Sequence, residues 1–486
     1  MKQTSLLALF PLIALLGQPV SPPDPGDGKI PITTNSEEAR KEFLKGRELA
    51  DNLRLTDAIA HFDQALTLDP NFASAELARA NVSGTAKDFR LHLDKAIALW
   101  DKASEGERLA IQAAEAGAVG NAAKTREYLE RNVSLFPNDE RARFALGVFY
   151  QGQQDDAKAI ETFKATIAIA PTFPPVYNNL GYAYKTVVNY PEAEQAFKKY
   201  AELIPNDPNP YDSYAELLMK MGRFDESVTQ YQKALALDPH FISARIGSAI
   251  DALYLGKPDL ATSRLTDLYA NARNDGERRQ SVFVQAVVYA DQGKIDQAIQ
   301  QAEREFAIAE KAGDAGAMTA DLNFKANMLL AMGRNDEALA TFDKALQITQ
   351  SSALSPAVKQ ATELFHHSSV AAVAIAKGDL TTARAEADAF AKGSAANGNQ
   401  FQNRLTHELA GRIAFAEKQY DKAIAELEQA NLQDPYNLYR LALAYQGKGD
   451  MAKARDYASR AAHWNGLPAL NYALVRNKAT QLAATT

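Results

Sequence analysis

Apolar and small residues fall along this chain in two interleaved helical stripes, and the stripes themselves repeat. Over residues 174–205, Tyr177, Leu180, Gly181 and Tyr184 sit at i, i+3, i+4 and i+7, the spacing of one helical face. Ala193, Ala196, Phe197 and Tyr200 show the same spacing farther on, after a short polar turn around Asn189 and Pro191. The pattern predicts two helices folded back on each other, crossing where Gly181 and Ala193 let the backbones approach. Pro205 ends the second helix, because proline has no amide hydrogen and disfavours helical geometry in the residue before it.

These columns recur down the chain. Pro137, Pro171, Pro205 and Pro239 are 34 residues apart. Gly147, Gly181, Ala215 and Ala249 form one small column; Ala159, Ala193, Ser227 and Ala261 form a second. Tyr150, Tyr184 and Leu218, then Phe163, Phe197, Tyr231 and Leu265, form the bulky ones. A fixed period of this length marks an array of stacked supersecondary units, none of which can bury its apolar face alone. The turn recurs as well: Gly222, Gly256, Gly293 and Gly333 each precede an aspartate by three residues, at Asp225, Asp259, Asp296 and Asp336. The glycines suit the left-handed residue that closes a helix, and the aspartates suit the N-cap of the next.

After Ala261 the small column recurs at Ala298, Ala338, Ala383, Ala423 and Ala454, at spacings of 37, 40, 45, 40 and 31. Longer helices or loops are expected near residues 270–280, 311–318, 351–358 and 392–402. Ser104 with Glu107, and Asn274 with Glu277, read as capping boxes; the two glutamates are 170 residues apart, five periods of 34. Residues 72–102 are a poorer repeat, expected as two helices with Phe89, Leu93, Ala96, Ile97 and Trp100 turned inward.

The columns Leu180-Gly181, Tyr184, Ala193, Phe197 and Pro205 resemble the tetratricopeptide repeat. Units starting near Glu140 and Pro208 match, as do a first unit through Gly46, Ala58, Phe62, Ala65 and Pro70 and a late one through Gly411, Ala423, Leu427, Ala430 and Pro435. The resemblance spans residues 36–466, best over 140–241 and degenerate over 71–136 and 242–402. It implies an all-α, right-handed solenoid of about ten or eleven helix hairpins, with the first helix of each pair lining a concave groove. Residues 467–486 are expected as a capping helix and tail, with Leu470, Leu474 and Val475 covering the last repeat. The chain is similar to exported bacterial tetratricopeptide proteins without a catalytic domain.

The N-terminus adds a location. Met1-Lys2 precedes an apolar run over residues 5–17, shorter than the roughly 20 residues that span a bilayer. Residues 1–17 read as a signal peptide, which implies a periplasmic or secreted protein with no membrane span after cleavage. Residues 18–35 carry Pro19, Pro22, Pro23, Pro25 and Pro31 and are expected as an extended, poorly ordered tether. The chain has no cysteine, which excludes disulfides, thiol catalysis, cysteine zinc sites and the acylated cysteine of a bacterial lipoprotein. With a formal net charge of −7 and no block of lysine and arginine, nucleic acid is not an expected partner.

The search for chemistry finds little. His366 and His367 are adjacent, so on a helix they point about 100° apart and hold one ion poorly. His407-Glu408 begins like a metalloprotease helix, but Gly411 stands where the second histidine belongs. No phosphate loop, dinucleotide fingerprint or nucleophile elbow is present, so neither a cofactor nor an enzymatic activity is expected.

Binding is the stronger expectation. Beside the core stripe, the first helices carry Phe144, Val148 and Gln151; Asn178, Tyr182 and Lys185; Asp212, Glu216 and Met219; and Ile246, Ile250 and Leu253. Phe144, Asn178, Tyr182, Lys185, Asp212, Glu216, Ile246 and Ile250 are the candidate groove contacts for a protein or peptide partner. Asp212 and Glu216 are expected to be solvated. The apolar trio at Ile250 is to be covered either by a ligand or by neighbouring helices. The two-carboxylate clamp found in some family members would fall on Phe144, Val148, Asn179, Asn209 and Ser213, of which only Asn179 has the required chemistry. The reading is a non-catalytic interaction scaffold of the bacterial cell envelope. A ligand- or carbohydrate-binding accessory or sensor is the alternative, and a hydrolase stands behind both.

Overall fold

The computed structural model describes residues 27–485, and among them every regular element is helical. Twelve hairpins follow in order. They are α1 (Glu37–Asp51) with α2 (Leu55–Leu68), α3 (Ala73–Asn81) with α4 (Ala86–Ala98), α5 (Glu105–Ala118) with α6 (Ala122–Leu135), and α7 (Glu140–Gly152) with α8 (Asp156–Ile169). Then come α9 (Pro174–Thr186) with α10 (Tyr190–Leu203), α11 (Asn209–Lys220) with α12 (Phe224–Leu237), α13 (Ile242–Tyr254) with α14 (Pro258–Ala270), and α15 (Asp275–Asp291) with α16 (Ile295–Ala312). The last four are α17 (Ala315–Ala331) with α18 (Asn335–Ser351), α19 (Pro356–Lys377) with α20 (Leu380–Ser394), α21 (Gln400–Ala416) with α22 (Tyr420–Leu427), and α23 (Pro435–Lys448) with α24 (Met451–Ala462). A final helix, α25 (Leu470–Thr485), follows them. The array is thus one hairpin longer than the upper end of the sequence expectation. The irregular spacings after Ala261 are absorbed by helix length: α15 to α19 run 17 to 22 residues, against 12 to 14 for α6 to α14.

The small columns are where helices cross. A Cβ placed on Gly181 would lie 2.6 Å from the Phe197 ring, and one on Gly147 would lie 2.5 Å from Phe163. Phe163 and Phe197 are fully buried, so each ring occupies the space that a side chain on its glycine would need. Residues 72–102 form a full hairpin with Leu93 and Ala96 buried, while Phe89, Ile97 and Trp100 are half-buried.

The turns follow one geometry. Gly222, Gly256, Gly293 and Gly333 have φ of 73° to 74° and close their first helices as expected. The aspartates after them are not the N-caps. The carbonyl of Arg223 accepts from the Ser227 amide at 3.0 Å, so the N-cap of α12 lies two residues earlier than expected and Asp225 falls in its first turn. Arg223, Lys257, Lys294 and Arg334 hold the N-cap positions without a side-chain cap bond. The aspartates instead set negative charge against the positive end of the helix. The Ser104–Glu107 capping box is complete. In its echo, Asn274 caps Glu277, but the Glu277 carboxylate reaches back to the Arg273 amide.

Four hairpins place a side chain where seven others place a left-handed glycine. Leu53, Gln154, Val188 and Lys418 have φ of 58° to 62°. Val188 is the worst suited, because a β-branched side chain crowds the following carbonyl in this region. Its side chain is 64% exposed, so no burial offsets the cost. Val188→Gly is expected to stabilise the protein by up to about 1 kcal/mol, the relief of a roughly 1–2 kcal/mol left-handed penalty less glycine's extra chain entropy. A urea midpoint that falls on substitution would contradict this.

Successive superhelical turns stack. The turn of the first hairpin meets the start of the eighth, where Thr56 bonds Glu277 and Asp57 pairs with Arg273. The turn of the second meets the start of the ninth, where the Lys87 amide donates to Asp314. The turn of the fourth meets the start of the eleventh through Gln153 with the Gln400 amide and the Gln154 carbonyl with Arg404. Each contact lies seven hairpins along the chain, so about seven hairpins make one superhelical turn.

Both ends of the described chain are docked. Residues 27–35, expected as part of a loose tether, lie fixed along the starts of α7, α5 and α1. The Ile30 amide donates to Asp139, the Thr33 amide to Glu107, and Arg40 to the Ile32 carbonyl. The apolar side chains of Ile30 and Ile32 supply the packing that the prolines obscured. The signal-peptide reading, and residues 18–26 of the tether, lie outside the described residues. At the other end α25 packs on α23 and α24, and also on α15 of the eighth hairpin.

Candidate functional site

The odd-numbered helices pack against one another between neighbouring hairpins, as α7 does on α9 and α9 on α11. They form the inner wall of the superhelix, and the even-numbered helices form the outside. That wall has an open part and a closed part.

Hairpins one to four keep it open. A cavity of about 570 Å³ lies against α1, α3, α5 and the start of α7. Phe43, Leu77, Val82 and Ala110 line it, Ile30 and Ile32 close one edge, and Leu53 and Leu55 stand at another. Arg47 projects from α1 into this space with its guanidinium carbon 5.5 Å from the Phe43 ring centre. Burial, then the charge of Arg141, push the Arg47 pKa down to about 10. Farther along α7, Val148 of the expected stripe is 41% exposed.

Hairpins five to eight close the wall. Phe144, at the boundary, is half-buried edge-on to Phe173 at 5.5 Å. Tyr182 is half-buried; its ring meets Phe197 edge-on at 5.2 Å, and its hydroxyl lies 3.3 Å from Ser213 Oγ. Lys185 lies 4.2 Å from the Tyr182 ring centre and bonds Glu216 at 3.1 Å. Asn178 is buried with its Oδ1 lacking a hydrogen-bond partner among the described residues, and the same is true of Asp212 Oδ1. The structure therefore brings Tyr182, Lys185, Ser213 and Glu216 together, with Asp212 one turn from Glu216 on the same helix.

One expectation changes here and one open alternative closes. Asp212 and Glu216 are not solvated: they are 2% and 8% exposed. Burial, followed by the charge of Glu216, raises the Asp212 pKa well above the usual carboxylate range, and Lys185 only partly opposes this. Ile250 is fully buried, and Ile246 packs beside it, in a core that includes Tyr211, Met219, Leu253, Val284 and Val288. Neighbouring first helices, rather than a ligand, cover the apolar stripe. The chain beyond α24 then crosses this region. Lys220 donates to the Trp464 carbonyl, Tyr254 to the Gly466 carbonyl, and Arg476 forms a two-bond pair with Asp291. Burial lowers the Lys220 pKa to about 8.

The histidines separate as their spacing implied. His366 bonds Asp343 on α18, and His367 bonds Glu386 on α20. Among the described residues no group of three or more histidine, aspartate or glutamate side chains could hold a metal ion. None of the helices searched among those residues is long and apolar enough to cross a membrane. The cavity residues on α1 and α3 escaped the sequence reading because the second repeat matches its family poorly. The usable signal was Ile30-Pro31-Ile32, an apolar run inside a polar, proline-rich stretch.

Sequence models described as tetratricopeptide repeat match residues 174–207, 208–241, 246–316 and 322–352, and the observed hairpins share their register. Among curated proteins, the human cell division cycle protein 16 homolog is 26% identical over 29% of this chain and 24% of its own length. The anaphase-promoting complex subunit cut9 of Schizosaccharomyces pombe is 25% identical over 48% of this chain and 35% of its own. The chain therefore spans only about a quarter to a third of those relatives. Solved structures with similarity include MamA protein, at 18% identity and a TM-score of 0.29 over 35% of this chain and 96% of that one. A thermophilic tetratricopeptide protein of Thermus thermophilus gives 20% and 0.30 over 44% and 99%. One from Parabacteroides merdae gives 15% and 0.34 over 53% and 99%. Such repeats indicate a protein–protein interaction scaffold and are generally non-catalytic. With the matched repeats in register with hairpins that continue on both sides of them, the chain is a tetratricopeptide repeat protein.

Proposed function

We propose that this protein is an exported, non-catalytic scaffold of the bacterial cell envelope that holds a segment of a partner protein against the inner wall of its first four hairpins. The observation that carries the reading is the division of that wall: hairpins five to eight are packed shut, whereas Val148 and the cavity beside α1, α3 and α5 stay open. An exposed apolar residue on an open concave wall is a usual anchor for a docking segment. The relative that is a subunit of the anaphase-promoting complex fits an assembly role. The basic start and the apolar run over residues 5–17 support export.

Affinity capture from fractionated native cells tests the proposal. The protein is expected in the envelope fraction together with a stoichiometric partner. Val148→Glu is expected to weaken that complex by about tenfold or more, since it sets a charge in a desolvated contact. The thermal transition should not move, because Val148 makes no core contact. Recovery in the cytosol would refute export, and an unaffected complex would refute this docking surface. A second reading, ligand binding, is favoured by the cavity itself.

A further inference from the structure

The cavity beside α1, α3 and α5 holds one charge that has no direct hydrogen-bonded partner among the described residues. Its carboxylates are all engaged. Asp51 takes two bonds from Arg141, at 3.1 and 2.6 Å. Asp139 accepts from the Ile30 and Ala142 amides at 2.9 and 2.7 Å. Glu107 accepts from the Thr33 amide, the Ser74 hydroxyl and the Ser104 amide. Arg141 is thereby committed to Asp51. Arg47 alone has no hydrogen bond or ion pair among the described residues; its one neighbour of note is the Phe43 ring.

A half-buried guanidinium without a direct hydrogen-bonded partner is unusual, because through-space attraction, here from Asp51, Asp139 and Glu140, offsets only part of its lost hydration. The depressed pKa of Arg47 has the same cause, loss of water first and then the repulsion of Arg141, only partly opposed by Asp51, Asp139 and Glu140. Around it the walls are apolar: Ile32 and Phe43 on one side, Leu77 and Val82 on the other. At about 570 Å³ the space has the size of a small-molecule site, a largely apolar hollow whose other charged groups, Asp51, Glu107, Asp139 and Arg141, are already bonded to protein. Residues 30–32 close one edge, and the Arg141–Asp51 pair ties the start of α7 to the end of α1. A through-running chain is therefore less well accommodated than a compact ligand.

We infer that this cavity is a binding site for a small apolar monocarboxylate, whose carboxylate pairs with the Arg47 guanidinium and whose hydrocarbon part lies against Phe43, Leu77 and Val82. A simple hydrated anion gains nothing from such walls, and a neutral apolar molecule leaves Arg47 unpaired. Only a ligand with both parts satisfies the site. The inference shares this cavity with the scaffold reading, but its test turns on Arg47 and an added acid whereas the scaffold's turns on Val148 and a captured protein, so the failure of one is distinguishable from the failure of the other.

The test is calorimetric titration of the full chain with octanoate and with octanamide, its neutral isostere. Octanoate is expected to bind at least about tenfold more tightly, since a charge-assisted pair is made only by the acid. Arg47→Met is expected to abolish that preference without lowering the thermal transition, because it removes an unpaired half-buried charge. Arg47→Lys should retain part of it. Equal binding of acid and amide, no binding of either, or an acid preference that survives in Arg47→Met would overturn the proposal. So would a leucine-ended peptide acid binding well above octanoate, which would assign the site to protein chain ends.

Discussion

Replacing Arg476 with methionine is expected to destabilise the array by about 3–5 kcal/mol, the usual cost of stranding a buried charge. Asp291 ends α15, and its side chain is 4% exposed. Both of its carboxylate oxygens are bonded by Arg476, and its carbonyl takes the Asn477 amide at 2.9 Å. Without Arg476 the carboxylate must stay charged in a dry site or take up a proton. Burial already raises its pKa, so the loss should shrink as pH falls. The damage should extend past one pair, because α25 is also what holds residues 464–466 across hairpins six and seven. Hydrogen exchange is expected to rise at the end of α15 and through α25, while hairpins one to four stay protected, as stability in an array is shared mainly between neighbours. Arg476→Met with Asp291→Asn should recover much of the loss, because the second change removes the stranded charge. A single substitution that shifts the urea midpoint no more than a surface change would show that α25 does not clamp the two superhelical turns together.

What the sequence could and could not reveal divides along the range of the contacts. The crossing of Gly181 and Phe197, the same crossing at Gly147 and Phe163, and the left-handed glycines at 222, 256, 293 and 333 were all legible. Each depends on residues within one 34-residue unit and is repeated in others. The stacking of superhelical turns was not legible. It rests on single polar pairs such as Thr56 with Glu277 and Lys87 with Asp314, which carry no period. The candidate groove was half legible for the same reason. Spacing put Tyr182 and Lys185 on one face, and they do meet Glu216 of the next hairpin. Polarity suggested that Asp212 and Glu216 face water, but exposure is set by how closely successive first helices pack, which no local pattern records. The cavity at Arg47 combines both difficulties, since it needs a degenerate repeat and a proline-rich strap to be seen together.

The junction of hairpins eight and nine makes stability depend on pH in an uncommon direction. Arg279 on α15 donates two 2.7 Å bonds to Asp321 on α17 and one of 3.3 Å to Glu305 on α16. One guanidinium thus serves two buried carboxylates. Burial, reinforced by the charge of Asp321, pushes the Glu305 pKa up to about 8 against the pull of Arg279. Between its ordinary value of 4.5 and about 8 the folded protein therefore holds a proton that the unfolded chain releases. The stabilisation this group confers is complete below pH 4.5 and is lost as pH rises through 8, with a limiting slope of about 1.4 kcal/mol per pH unit. Asp251, raised by burial to about 7, adds in the same sense. Urea midpoints are expected to fall steadily from pH 5.5 to 8.5, opposite to a protein whose carboxylates are mostly held by salt bridges. Glu305→Gln keeps the shape of the side chain and removes its titration. It should flatten the curve and leave the variant more stable than the parent at pH 8.5. Parallel curves for the two proteins would show that Glu305 is ionised throughout and that Arg279 neutralises both carboxylates. The Arg279 junction would then be an ordinary ion-pair cluster, and the pH response would have to come from Asp251 or from elsewhere in the array.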